Sequence, residues 1–133
     1  METNSIEQLE NNIWKELSEY PTELVEKCHQ YRKVSISKLN VEQIRLLVSQ
    51  QIGLEHIIGV ALNKLKQNVL AEGDFYAGDL LIAVSKISTD FWNEKKTECL
   101  SLKQIVNLNS DLIKTELGEK DFNKLINRLE NGL

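Results

Sequence analysis

Proline, cysteine and long apolar runs are all scarce in this sequence. Its 133 residues include one proline, two cysteines and six glycines. No stretch approaches the roughly 20 consecutive apolar residues that a membrane-spanning helix needs, and the first residues lack the basic and apolar regions of a secretory signal peptide. We therefore expect a cytoplasmic protein with no membrane partner, in which Cys28 and Cys99 are reduced thiols.

Positive charge is also in short supply. Lysine and arginine number 16 against 20 aspartates and glutamates, for a net charge of −4, and the sequence pI is about 5.3. Because proteins that bind nucleic acid normally present a basic face, this balance argues against a nucleic-acid partner. It is compatible with a basic protein partner.

The remaining composition is that of a folded, helical chain. The length suits one domain, residues 1–133, with a core of its own. Few prolines and glycines favour helix over strand. Apolar residues at helical spacing predict a first helix over residues 5–19, which Pro21 ends or kinks. Asn40 and Gln43 predict a capping box at the start of a later helix.

Two further segments indicate how the helices pack. One amphipathic stripe predicts a helix that lies on the core. Its members are Leu54, Ile57, Ile58, Ala61, Leu62, Leu65 and Val69. Residues 80–84 are apolar nearly all round, which predicts a central, buried helix. The expected fold is all-α: a single-domain helical bundle or orthogonal array of about six to eight helices.

Residues 71–78 contain two glycines and no helical stripe, so we predict an ordered loop there. No lysine or arginine lies between Lys66 and Lys86, whereas three acidic residues do. An acidic loop with an aromatic side chain suits a basic protein surface. The residues predicted to bind a partner are Glu72, Asp74, Tyr76 and Asp79.

A structural role for the same loop is the alternative. Glu72 and Asp74 are typical turn residues, and Asp79 is placed to complement a helix N-terminus. Buried aromatic side chains usually fix a loop to the core. On that basis we expect Phe75 to be buried, whereas Tyr76 fits either role.

Residues suited to catalysis or metal binding do not form a recognisable motif. Cys28 and His29 are adjacent, so on a helix their side chains point about 100° apart. His56 follows Glu55 but lacks the second histidine of an HExxH motif. We predict no catalytic residue, no metal site and no cofactor. An enzyme built around Cys28, His29 or His56 stays a less favoured hypothesis.

Two long strings carry a family resemblance. Residues 39–54 read LNVEQIRLLVSQQIGL, and residues 71–81 read AEGDFYAGDLL. They resemble the strings L-T-V-E-D-L-R-L-L-I-x-Q-x-x-G-L and A-E-G-D-x-Y-x-G-D-L-L of contact-dependent growth inhibition (CDI) immunity proteins. Phe91-Trp92 matches a following F-W. The resemblance covers residues 14–93, and the sequence departs from it at Ser35, Gly59 and Ala77, where proline is common in the family.

The resemblance implies a bacterial toxin inhibitor. In CDI systems a cell delivers a toxin domain to its neighbour on contact, and the immunity protein binds the matching toxin and spares siblings. The implied partner is the C-terminal toxin domain of such an effector, often a cytoplasmic nuclease and therefore expected to be basic. The implied mechanism is steric and electrostatic occlusion. A helical adaptor, or another interaction module without catalytic activity, is the alternative.

Overall fold

The computed structural model describes residues 3–131. Met1 and Glu2, which belong to the N-terminal stretch considered above for a signal peptide, lie outside the described residues, as do Gly132 and Leu133. The described part contains nine α-helices, one 3-10 turn at Ile36–Lys38 and no β-strand. The α-helices are α1 (Ile6–Glu10), α2 (Glu23–Tyr31), α3 (Val41–Ser49), α4 (Leu54–Gln67), α5 (Asp79–Ser85), α6 (Thr89–Glu94), α7 (Lys96–Leu108), α8 (Ser110–Leu117) and α9 (Glu119–Asn131).

The all-α prediction is confirmed, but the number of helices exceeds the expected six to eight. The extra boundary falls at Lys95, which separates α6 from α7 with φ −125° and ψ 55°. Since no proline or glycine stands at this position, the sequence pattern contains no strong signal for the break. The boundary between α7 and α8 lies at Asn109, with φ −119° and ψ 20°, and there the sequence does carry a signal, because asparagine and serine are typical of a helix start.

The predicted first helix is wrong in extent. α1 ends after five residues because Asn11 adopts the left-handed conformation at φ 51° and ψ 45°, which asparagine tolerates better than most residues. Residues 11–22, which we call the strap, contain no helix. Thr22 then caps the N-terminus of α2, and its hydroxyl accepts a hydrogen bond from the Val25 N–H.

The strap is attached to α2 through a buried arginine. Arg32, at the C-terminal end of α2, is only 1% exposed. Its Nη2 donates to Glu10 Oε1 at 2.7 Å and to the Asn12 carbonyl at 2.8 Å. Trp14 lies over the guanidinium at 4.1 Å and also contacts the His29 ring at 5.0 Å. Trp14 and Asn12 therefore attach the strap to α2, whereas Ile13 and Leu17, which continue the apolar spacing of α1, are exposed.

The helices predicted around the core are confirmed. The Asn40 side chain accepts from the Gln43 N–H at 2.8 Å, and Gln43 returns the bond at 2.9 Å, which forms the capping box of α3. In α4 the predicted stripe is buried from Ile57 to Leu65. α5 packs against α3, α4 and α9, and Leu80, Leu81 and Val84 are fully buried there. α5 is thus the central helix, as its all-round apolarity predicts.

Candidate functional site

Residues 72–78, which we call the acidic loop, connect the end of the α4 region to α5. The loop is ordered, with one isolated bridge between Glu72 and Ala77, as the sequence predicts. Glu72, Asp74 and Tyr76 are exposed. Three of the four predicted partner-binding residues therefore lie together on one accessible segment.

Asp79, the fourth predicted residue, lies beneath the loop. It is 4% exposed. Its Oδ1 accepts from the Gly73 N–H at 2.7 Å, and its Oδ2 accepts from the Phe75 N–H at 3.1 Å. A buried carboxylate that accepts backbone N–H groups fixes the path of the loop. In this structure Asp79 acts as a positioning residue at the start of α5.

A charged pair on α3 supports the loop from the other side. Arg45 donates from Nε to Glu42 Oε1 and from Nη2 to Glu42 Oε2, both at 2.6 Å. Glu42 Oε1 also accepts the Asp74 N–H at 2.9 Å. The bond from Arg45 holds the pKa of Glu42 below its usual value, and the bond from the Asp74 N–H acts in the same direction, although partial burial opposes them. Glu42 and Arg45 thus tie the acidic loop to α3.

Glu42 and Arg45 were not among the predicted site residues. The two are three positions apart in a helix, a spacing at which side chains meet. They also stand as E and R in the first family string. That spacing predicts that Glu42 and Arg45 contact each other. No pattern in the sequence indicates that the loop also contacts them, since Asp74 lies 32 positions after Glu42 in the chain.

The prediction that Phe75 is buried is wrong. Its side chain is 68% exposed, and the Arg45 guanidinium lies over one face of the ring at 4.5 Å from its centroid. The loop is fixed by hydrogen bonds from its backbone rather than by insertion of its aromatic ring. Phe75 occupies a position that the family string leaves open.

Gly73 is required by space rather than by backbone conformation. A Cβ built there would overlap Glu42 Oε1 and would lie 3.0 Å from Asp79 Oδ2. Gly78, by contrast, has φ +93°, a conformation that favours glycine, and precedes α5 as its N-cap. The two glycines of the second string therefore serve different purposes in the same loop.

Tyr76 borders a shallow polar groove on the other side of the loop. The groove is lined by residues of α5, α8 and α9, among them Lys86, Lys124, Asp121 and Arg128. The surroundings of Tyr76 are therefore mixed in charge. Glu72 and Asp74 are exposed on the same loop. Lys27 of α2 lies near Asp74: the pKa of Lys27 is raised, mainly by its pairing with Glu23 and also by the charge of Asp74.

The two cysteines and His29, which were considered for catalysis, lie in structural surroundings. Cys28 and Cys99 are buried, free thiols, and burial raises the pKa of both. A nucleophilic cysteine needs the opposite shift. His29 is held between the rings of Trp14 and Tyr20, each at 5.0 Å. These contacts are those of structural residues.

Residues 3–131 contain neither a metal-binding cluster nor a membrane-spanning helix. No group of three or more metal-ligating side chains comes together there. Within the same residues, no helix is both long and apolar enough to cross a bilayer.

The fold and the loop define a class: an all-helical protein with an ordered, exposed acidic loop. The family follows from comparison with known proteins. The family model described as CDI immunity proteins matches residues 8–102, more than half of the chain. This protein belongs to that family, whose function is immunity to the toxin of a CDI system. No curated protein and no solved structure matches the chain significantly.

Proposed function

We propose that residues 1–133 form a single helical domain that binds the cognate CDI toxin domain in the cytoplasm and blocks it without a reaction of its own. Family membership carries this proposal. The proposed partner is the C-terminal toxin domain of the effector, a basic nuclease. Neutralisation then requires only that the bound domain cover or flank the cleft that grips the toxin's nucleic-acid substrate.

The acidic loop is the proposed contact surface. Glu72 and Asp74 supply exposed negative charge, and Tyr76 supplies an exposed aromatic side chain. Asp79, buried under the loop, contributes by holding the backbone in place. A loop that is already ordered loses little conformational entropy on binding, which favours affinity.

Charge would act mainly on the rate of association. Opposite charges steer the two proteins together, and salt screens that attraction over about 8–10 Å at physiological ionic strength. Protection of a cell needs tight binding, so the interface is expected to bury about 1,600 Å² or more. Polymorphic toxins require a matched partner, so residues outside the two strings complete the surface.

Co-expression with the toxin domain encoded beside this protein is the primary test. Wild-type protein should restore growth, and the purified pair should form a complex whose association rate falls with added salt. Neither rescue nor complex formation would refute the immunity proposal. If pull-down instead yields a different protein as the main partner, the adaptor alternative is favoured.

Charge reversal locates the surface. The double variant Glu72→Lys/Asp74→Lys should slow association by about tenfold or more at low salt. A control with the same change of net charge is Glu94→Lys/Glu130→Lys, both exposed. Glu130 lines a different groove, together with Lys103 and Asn107 of α7, and neither control residue lines the groove that Tyr76 borders. Equal slowing by both variants would show a general field effect and no special role for the acidic loop.

A further inference from the structure

Phe75 is an apolar side chain held in an exposed position by the residues beneath it. Its ring is 68% exposed, although 28 apolar residues of the described part are buried. Its backbone N–H is bound by the buried carboxylate of Asp79 at 3.1 Å, and one face of its ring lies 4.5 Å from the Arg45 guanidinium carbon. Both the backbone and the ring of Phe75 are therefore positioned by contacts inside this chain.

The guanidinium under the ring is itself fixed. Arg45 uses Nε and Nη2 in a two-point pair with Glu42 at 2.6 Å, and its side chain is only 13% exposed. Because Nε and Nη2 are already bonded to Glu42, the Arg45 guanidinium is poorly placed to move away from the ring and bind an anion of a partner. The stack of Arg45 and Phe75 is thus a rigid platform with one uncovered aromatic face.

The charges beside the ring indicate what covers it. Glu72 and Asp74 are exposed acids of the same loop. The nearby cations already have acidic partners in this chain: Arg45 is paired with Glu42, and Lys27, which lies near Asp74, is paired with Glu23 at 3.2 Å. A partner surface that meets this one must therefore offer an apolar pocket for the ring and cations around it. An exposed ring that binding would enclose in such a pocket has the properties of an interface hot spot.

We propose that Phe75 is the central anchor of the toxin interface and enters an apolar pocket of the toxin domain that is rimmed by lysine or arginine. This inference rests on the proposed immunity function and adds the chemistry of the partner's surface. Glu72 and Asp74 face the rim and govern association. Phe75 fills the pocket and governs dissociation, because the loss of a desolvated apolar contact is felt mainly in the dissociation rate.

The test measures both rate constants for purified toxin domain over a series of salt concentrations. Phe75→Ala should raise the dissociation rate by about 30-fold or more, the size expected of a hot spot, while association and its salt dependence stay close to wild type. Phe75→Leu keeps apolar volume and should give a smaller rise. Glu72→Gln/Asp74→Asn should show the reverse pattern: slower association, a weaker salt dependence and a dissociation rate near wild type.

Leu108→Ala is the matched control, because Leu108 is 85% exposed at the end of α7 and its truncation removes a similar exposed apolar group. Its dissociation rate should stay within about threefold of wild type. Circular dichroism and urea unfolding check that each variant is folded.

The outcomes separate the two proposals. If wild-type protein does not bind the toxin domain, the proposed function fails. If wild type binds but both Phe75 variants dissociate at the wild-type rate, the anchor proposal alone is overturned. A loss from Leu108→Ala as large as that from Phe75→Ala would also overturn it, since the effect would then not be specific to the acidic loop.

Discussion

At the scale of single residues, the conformation of the acidic loop depends on two carboxylates that are packed closely against its backbone. Asp79 and Glu42 together accept four backbone N–H groups of the loop, those of Gly73, Asp74, Phe75 and Tyr76. Each bond of this kind to a charged acceptor contributes about 1.5–3 kcal/mol. The loop is therefore a fixed surface, and changes at the supporting residues should act on its shape before they act on its charge.

Gly73→Ala tests the lack of space. The added methyl group should displace the Glu42 carboxylate and weaken its bond to the Asp74 N–H, lowering the free energy of unfolding by about 1–3 kcal/mol. Gly59→Ala is the control: a Cβ there meets nothing within 4 Å, and alanine in the interior of α4 should stabilise the protein by about 0.5–1 kcal/mol. Urea unfolding measures both. Similar effects of the two changes would contradict the predicted crowding at Gly73.

Glu42→Gln tests the electrostatic link between α3 and the loop. Arg45 holds the pKa of Glu42 below its ordinary value of 4.5, so the stabilisation by this carboxylate is full above that value and is lost as the pH falls through the lower, folded-state pKa. At pH 7 the variant should be less stable than wild type by about 1–2 kcal/mol. The gap should close as the pH falls below 4.5. Urea unfolding at pH 7, 5 and 3.5 measures it, and a gap that is constant with pH would exclude the carboxylate as its cause.

The two cysteines provide a check on burial. Because burial raises the pKa of Cys28 and of Cys99, neither thiol should form much thiolate near neutral pH. Iodoacetamide at pH 8 should label both thiols when the protein is unfolded in urea. Over the same time it should label neither thiol in the folded protein, and mass spectrometry measures the difference. Rapid labelling of Cys28 in the folded protein would revive the enzyme hypothesis.

At the scale of elements, the sequence predicts helices where a buried stripe and a cap coincide. α3 has the capping box of Asn40, α4 contains six of the seven residues of the predicted stripe, and both helices form. The strap fails this rule. Ile13 and Leu17 continue the spacing of Ile6 and Leu9, but they are exposed, because the left-handed turn at Asn11 redirects the chain onto Arg32.

The acidic loop shows the same limit. Its order and its exposed acids could be predicted from glycine placement and charge. The exposure of Phe75 could not, since it depends on the meeting of residues 42 and 45 with residues 74 and 75 in space. Contacts between distant segments are what a local pattern lacks.

Trp14→Ala tests how the strap is attached. Loss of the ring uncovers the buried Arg32 guanidinium and removes the contact with His29, so we expect a destabilisation of about 2 kcal/mol, below the 3–5 kcal/mol typical of a fully buried tryptophan. Ile13→Ala, at a residue 77% exposed, should change stability by less than about 0.5 kcal/mol.

Limited trypsin digestion gives a local readout of the same element. Lys15 is exposed within the strap, and cleavage after it should accelerate in the Trp14→Ala protein but not in the Ile13→Ala protein. Unchanged cleavage at Lys15 in both variants would mean that the strap is held without Trp14.

At the scale of the whole molecule, the hydrophobic core extends further along the chain than the family match does. The match stops at residue 102, inside α7. The core cluster continues through Val106, Ile113, Phe122, Leu125 and Leu129. α9 packs directly on the central helix α5, which also carries the acidic loop at its N-terminal end. The C-terminal helices therefore contribute to the same core that positions the loop.

Removal of residues 109–133 should for this reason disrupt more than the deleted segment. Without α8 and α9, one side of α5 loses its cover, and the apolar surface so exposed is too large to be tolerated by a small domain. We expect the chain 1–108 to lose its cooperative urea transition and to bind a hydrophobic dye, the behaviour of a collapsed but unpacked state. Leu129→Ala is the graded counterpart: it removes one buried side chain of α9 and should cost about 2–4 kcal/mol with the cooperative transition retained. A truncated chain that unfolds cooperatively with nearly full stability would show that the matched region folds on its own, and that α8 and α9 are an appendage rather than a wall of the core.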